Sequence, residues 1–461
     1  MALIRLLLKA KRTTDAFSYS ERLREFSYLD LRNGPFILAA TPELTELEAR
    51  IQHLQSKLES ETGRPVAQQR SEALKTYSEE LLGAQREYAV IASSIASGRL
   101  STEIRTADPT EMAKALPTGT ALLEYVVDKR QLSAFVLTSE GLHSVTTPIW
   151  EEEIVAKVQL LRELFAEKEN ENWAKPAASL YAILVDPLLR QGLLKGIRSL
   201  IIVPQGSLNR LAFAALPSTS TGRRRFLVQD YEIAMLPAAM LMLSPRHASE
   251  ESPGRLLAFA PSRSKLPHAS EEARRVAKMF APGSDLFLGL QATETRFKES
   301  AGQYQIIHLA THGLFNKTNP IFSSLQLDPD AKNDGRLEVR EILQLNLKAR
   351  LVTLSACETA LGSGDFSEMP AGDEFVSLDR AFLEAGSDAV LASLWKVDDR
   401  STLTIMDHIY RQVLAIGGAR SLAQAQRRMM SDPRYGHPFY WAPFIFVGND
   451  FASARNLAEI H

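Results

Sequence analysis

YQIIHLATHGLFN, residues 304–316, places two histidines four positions apart at the end of an apolar run. On a helix that spacing would set His308 and His312 on one face, where they could share a metal ion. The surrounding pattern argues against a helix. YQIIHL is short and apolar, and the ATHG that follows it is built from small and turn-forming residues, as expected of a buried strand and the loop beyond it. His308 then lies within the strand and His312 just past its carboxyl end. That separation disfavours a shared metal, and no metal or other cofactor is expected.

Downstream, LQLDPDAKNDGRLEV (325–339) reads as a hairpin, REILQLNL (340–347) as a helix, and ARLVTLSA (349–356) as a strand ending at Cys357. A helix between two strands suits a right-handed parallel crossover, so the strands before His312 and Cys357 are expected to lie side by side. Both residues would emerge at the carboxyl edge, where open α/β sheets carry their ligands and chemistry. Other short apolar runs repeat the pattern: SLIIVP (199–204), RLLAFAP (255–261), SDLFLGL (284–290), DAVLASLW (388–395) and PFIFVG (443–448). Such runs, apolar on both faces, belong to parallel strands covered by helices. Ahead of them, ALLEYVV, QLSAFVLT and GLHSVTTP read as a strand meander, followed by a helical segment over about 150–195. The predicted class is α/β, with a mostly parallel sheet flanked by helices and preceded by a helical segment.

In that segment Leu44, Leu47, Ile51, Leu54 and Leu58 step by threes and fours. ETGRP (61–65) interrupts them, and Leu74, Leu81, Leu82, Tyr88 and Ile91 resume the pattern, which predicts a hairpin of two antiparallel helices over about 43–97. MALIRLLLKAKR at the start is broken by Arg5 and Lys9 and falls well short of the ~20 residues that span a bilayer. It reads as an amphipathic helix packed on its neighbours. Across 461 residues, 45% of them hydrophobic, 53 Lys and Arg stand against 55 Asp and Glu. That balance provides no field to attract nucleic acid, so no direct nucleic-acid binding is expected. The single cysteine excludes an intramolecular disulfide or a multi-thiolate zinc site, and suits a reducing compartment, with the cytoplasm as the expected location.

His312 and Cys357 are a plausible chemical pair. A thiol with an ordinary pKa of about 8.5 is mostly protonated at neutral pH, and a nearby imidazole can remove its proton, leaving a thiolate that attacks an acyl carbon. The oxyanion that results needs fixed donors. The backbone N–H groups of Gly313, which permits close approach, and of Cys357, which begins the helix-like CETALG, are the candidates.

HLATHG, LVTLSACETALG, SLDRAFLEAGSDAVLASLWKVDD and HPFYWAPFIFVG together strongly resemble the CHAT domain family, caspase-like cysteine peptidases related to separase. The resemblance extends upstream through LLEYVVDKRQLSAFVLT, LIIVPQGSLNRLAFAALP and ATETRF and covers about residues 107–450. It implies a caspase-like sheet and endopeptidase activity on a protein substrate. By the same resemblance His312 falls on the catalytic histidine, Cys357 on the nucleophile, Gly313 on an oxyanion-hole glycine, and His308 on a structural strand position. The implied organisation is a helical region at 1–106, a non-catalytic half at 107–240, a catalytic half at 241–451 and a tail at 452–461. Many members carry amino-terminal tetratricopeptide repeats, but residues 1–106 show no such period of about 34 residues.

In caspase-like enzymes a substrate strand pairs just beyond the strand that follows the nucleophile, which makes Ser393 and Trp395 candidates for gripping a peptide. Asp373 and Glu374 are candidates for a pocket that takes Arg or Lys, although acids in a helix's first turn also complement its dipole. GSGDFSEMPAG (362–372) reads as a loop that orders on activation. His437, before Pro438, reads as structural. The expected function is cleavage of a protein substrate by a Cys-His dyad, regulated by a protein partner, in a bacterial defence or cell-death setting. The rival reading is a catalytically silent scaffold of the same family. A nucleotide-binding regulator is disfavoured, since no Gly-rich phosphate loop is present.

Overall fold

Strand β10 (Ile306–Leu309) is buried at every residue, and parallel neighbours cover both of its edges. Around it the computed structural model describes residues 1–32, 41–62, 64–65, 68–96, 108–218, 224–244, 254–316, 319–355 and 377–449. The meander β1 (Thr120–Asp128), β2 (Gln131–Thr138) and β3 (Gly141–Pro148) comes first among the strands. It is followed by β4 (Ser199–Val203), the ribbon β5 (Pro217–Ser218) and β6 (Arg225–Phe226), and β7 (Glu232–Met235). After β8 (Leu256–Ala260), β9 (Ser284–Leu288) and β10 come three short strands, β11 (Gly313–Leu314), β12 (Ser324–Gln326) and β13 (Arg336–Glu338). The last are β14 (Leu351–Leu354), β15 (Ala389–Ser393) and β16 (Phe444–Gly448).

Eleven of these strands form one sheet in the order β3-β2-β1-β4-β7-β16-β15-β14-β10-β8-β9. From β4 to β9 the pairing is parallel except where β16 runs antiparallel to β15, and β16 also joins the two parts of the sheet through β7. The expected mostly parallel α/β sheet is therefore present. Its interior strands are apolar on both faces because helices cover both, and alternating polar residues would be left unsolvated there.

Two local expectations need correction. The pattern of SDLFLGL predicts a strand buried on both faces, yet β9 is the sheet's edge and only half-buried, with Leu290 80% exposed. The pattern of REILQLNL predicts a crossover helix, but only Val339–Ile342 is helical. Before it, the expected hairpin at 325–339 is present as β12 and β13, closed at Asp330–Asn333, and with β11 it forms a separate antiparallel sheet between β10 and β14.

The amino-terminal helices are α1 (Ala2–Lys9), α2 (Thr13–Arg32), α3 (Pro42–Thr62) and α4 (Ser71–Ala96). α3 and α4 run antiparallel, as their pairings Arg50–Glu87 and Glu48–Tyr88 show, with Leu44, Leu47, Ile51 and Leu54 buried between them and the loop holding Ile321 and Phe322. α1 and α2 cover the other end of the sheet, where Ile4, Ala16 and Phe17 pack beside Leu122, Phe135 and Ile201.

α2 also buries charge. Arg24, 3% exposed, donates to Glu124 Oε1 at 3.2 Å and to the carbonyl oxygens of Pro204 and Tyr125, each at 2.8 Å. Glu21 accepts from Met240 N at 2.8 Å and lies beside the same guanidinium. Burial, reinforced by the facing Glu124 carboxylate, pushes the Glu21 carboxyl up to about 8, and burial raises Glu124 as well. Arg24 is thus the cation that makes two buried acids tolerable. Arg24→Ala should destabilise the protein by about 3–5 kcal/mol, because it strands both acids in the interior. Urea unfolding of wild type and variant measures the difference.

Candidate functional site

The ladder of β10 against β14 pairs Leu309 with Leu354 and continues as the Ser355 N–H donates to the Leu309 carbonyl at 2.9 Å. On the other flank the Ala310 N–H donates to Phe259 of β8 at 2.9 Å. These bonds hold the chain in the sheet up to Ala310. His312 follows three residues after Leu309, and Cys357 stands three residues after Leu354 in the chain, itself outside the described residues.

Past β10 the backbone turns into the second sheet. Buried Thr311 donates its hydroxyl to the Gln326 carbonyl, and the Gln326 N–H donates to the His312 carbonyl at 2.9 Å. That bond makes Gly313 and Leu325 the non-hydrogen-bonded pair of β11 and β12, so the Gly313 N–H points away from β12 and is open to another acceptor.

The His312 ring is half-buried. Desolvation, then the positive charge of Lys396, lower its pKa; a hydrogen bond to the Ser264 backbone and the charge of Asp399 act in the opposite sense without cancelling them. The imidazole therefore stays neutral, and able to accept a proton, at a lower pH than an exposed histidine. Ser264 is held in place from a distance. Asp328 accepts from both Ser262 N and Ser262 Oγ at 2.7 Å, and the Ser264 hydroxyl donates to the Pro261 carbonyl at 2.8 Å. Pattern reading did not single out Ser264, Lys396 or Asp399. Lys396 and Asp399 sit in WKVDD, directly past β15, so their nearness follows from the carboxyl-edge rule once the strand order is known.

The other expected residues divide. His308 is fully buried within β10; its Nδ1 lies 3.0 Å from the Tyr410 hydroxyl, which donates to Thr353 Oγ1 at 2.7 Å, and its Nε2 lies 3.0 Å from Glu272. It ties β10 to β14 and to the helix at Asp399–Tyr410. Ser393 and Trp395 do not have side chains free to grip a peptide. Ser393 is fully buried on β15, which is paired on both edges, and Trp395 stacks on Phe165 and donates to the Phe439 carbonyl at 3.3 Å. An aromatic at the end of an interior strand closes the core. His437 caps the helix Pro438–Trp441, its Nδ1 accepting from Phe439 N at 3.1 Å. Asp373, Glu374 and the loop at 362–372 lie outside the described residues.

Sheet and site together define an α/β protein whose candidate histidine lies just past the carboxyl end of an interior parallel strand. The CHAT domain model matches residues 174–449, and the chain belongs to the CHAT domain family. Tetratricopeptide repeat protein 28 of Mus musculus is 24% identical over 342 residues, 61% of this chain and 14% of that protein. The Homo sapiens protein of the same name is 25% identical over 344 residues, again 61% of this chain and 13% of its own length. The chain thus spans about a seventh of the length of these curated relatives. A Saccharomyces cerevisiae separase–securin complex aligns with a TM-score of 0.49 at 10% identity, covering 93% of this chain and 40% of that chain.

Lys396→Met should raise the pKa of His312 by removing one of its two lowering causes. An NMR titration of the ring should give a wild-type midpoint below the ordinary histidine value of about 6.5, and the variant should titrate at higher pH.

Proposed function

We propose that this protein is a cysteine endopeptidase in which His312 activates Cys357 against a peptide carbonyl. The single observation that carries the reading is the register of β10 and β14, which sets the two strand ends level, with His312 and Cys357 equally far beyond them in the chain. The state of His312 supports it too, because a ring held neutral can take the thiol proton. Sulfur then bonds to the carbonyl carbon, and the oxyanion finds the Gly313 N–H, with that of Cys357 as the second donor. As the peptide C–N bond breaks, His312 returns the proton to the leaving amine. Water, deprotonated by the same ring, hydrolyses the thioester and releases the new carboxyl end. The resemblance adds regulated cleavage of a protein partner, in a setting of bacterial defence or cell death.

Residue preference at the cut is a separate matter. Asp373 or Glu374 remain the proposed recognition acids for Arg or Lys. No helix among the described residues is long and apolar enough to cross a membrane.

His312→Ala should lower cleavage by about 10²–10⁴-fold, the range for losing a proton-transfer group, and Cys357→Ala should abolish it, because alanine supplies no nucleophile for the acyl-enzyme. The measurement is the appearance of new protein termini in cells that express wild type or either variant. Cleavage that persists equally in both variants would overturn the dyad. Equal cleavage after Leu and after Arg in a fluorogenic peptide panel would remove the acidic recognition pocket.

A further inference from the structure

The helical hairpin α3–α4 grips the segment that directly follows His312. Gln85 of α4, 2% exposed, accepts from Asn316 Nδ2 through its side-chain oxygen at 3.0 Å and from Asn319 Nδ2 through its backbone oxygen at 3.1 Å. Asn316 in turn receives the Asn319 N–H at 2.9 Å and donates its own N–H to Ser323 at 3.0 Å, which closes the loop between β11 and β12. Ile321 and Phe322 from that loop complete the hairpin's core, with Phe322 edge-on to Tyr88 at 5.4 Å.

A second grip falls on the far strand of the same small sheet. Gln55 of α3 donates to Glu338 at 3.1 Å, and Arg340 bridges Glu338 at 2.6 Å and Glu48 at 2.9 Å. Arg340 and Glu338 are both almost fully buried, so their pair is shielded from solvent screening, and Glu48 reaches it from the partly exposed side. Glu338 pairs with Ser324 of β12, and β12 pairs with Gly313 and Leu314. The hairpin is therefore bonded to the loop that leads into β12 and to the β13 residue paired with Ser324, the first residue of β12, which is the partner strand of Gly313 among the described residues.

We infer that the α3–α4 hairpin is a positioning device for the candidate site, with Gln85 as its principal positioning residue: it holds β12 so that the backbone of His312 and Gly313 keeps the orientation described above. Any partner that draws the hairpin away loosens that backbone and lowers activity, with no contact to the reacting atoms. The functional consequence rests on the dyad reading, whereas the mechanical coupling does not.

The test compares Gln85→Leu and Asn316→Ala, substitutions at the two ends of one bond, with wild type in the full chain. Amide exchange at Leu314 and Gln326, whose N–H groups lie in the β11–β12 ladder, should accelerate by about 3–10-fold, the effect of one lost hydrogen bond. Exchange in β8 and β14 should not change. Alkylation of Cys357, the chain's single cysteine, by iodoacetamide gives a second readout: its pH profile should move toward that of His312→Ala. Unchanged exchange at Leu314 and Gln326, or acceleration equal to that in β8, overturns the inference. Should exchange accelerate locally while His312→Ala leaves the alkylation profile untouched, the positioning stands and the dyad falls.

Discussion

One constraint organises the molecule: β10 lies between β8 and β14, hydrogen-bonded along both edges. A strand so enclosed cannot slide without breaking two ladders, and a slip of one residue would turn Ile306, His308 and their neighbours to the opposite faces. Its end is therefore a fixed point. The turn at Thr311, the departure of β11 and the position of His312 are all measured from it. The same ladder fixes the end of β14, so two strand ends far apart in sequence are aligned by the sheet itself.

The two histidines show how one short stretch serves two purposes. Four residues separate them, but the strand's end falls between, so His308 is sealed among Tyr410, Thr353 and Glu272 while His312 meets solvent on one side. Burial acts on each through its surroundings. Fully enclosed, His308 has hydrogen-bonding and ionic neighbours on both nitrogens and cements three elements. Half-enclosed, His312 has its proton affinity lowered first by that burial and then by the charge of Lys396, with the Ser264 backbone and Asp399 opposing them.

Much of this was legible in the sequence, for identifiable physical reasons. Continuous apolar runs such as YQIIHL and ARLVTLSA carry the pattern of parallel strands covered on both faces, and a run followed by small and turn-forming residues marks the strand's end. Positions decided by tertiary context were less legible. SDLFLGL has a core-like composition, yet β9 is an edge, because composition does not reveal which neighbour is missing. Trp395 looked available beyond a strand end, but Phe165, brought in from a distant helix, covers it. Residues Ser264 and Lys396 left no local signal, since their effect on His312 depends on which loops the strand order brings together.

The amino-terminal hairpin extends this logic from position to control. A helix pair built on Leu44, Leu47, Ile51 and Leu54 could have hidden its apolar face within itself or against any part of the sheet. It instead takes Ile321 and Phe322 as part of its core, and those residues are only a few positions beyond Gly313. Hydrophobic packing alone tolerates small shifts, because it is non-directional. The bonds from Gln85, Gln55 and Glu48 are directional, and they set the height and angle at which the hairpin meets the small sheet. The rigid ladder of β10 thus holds one end of the His312 segment and the hairpin holds the other, so movement of the hairpin alone is enough to change the geometry between them.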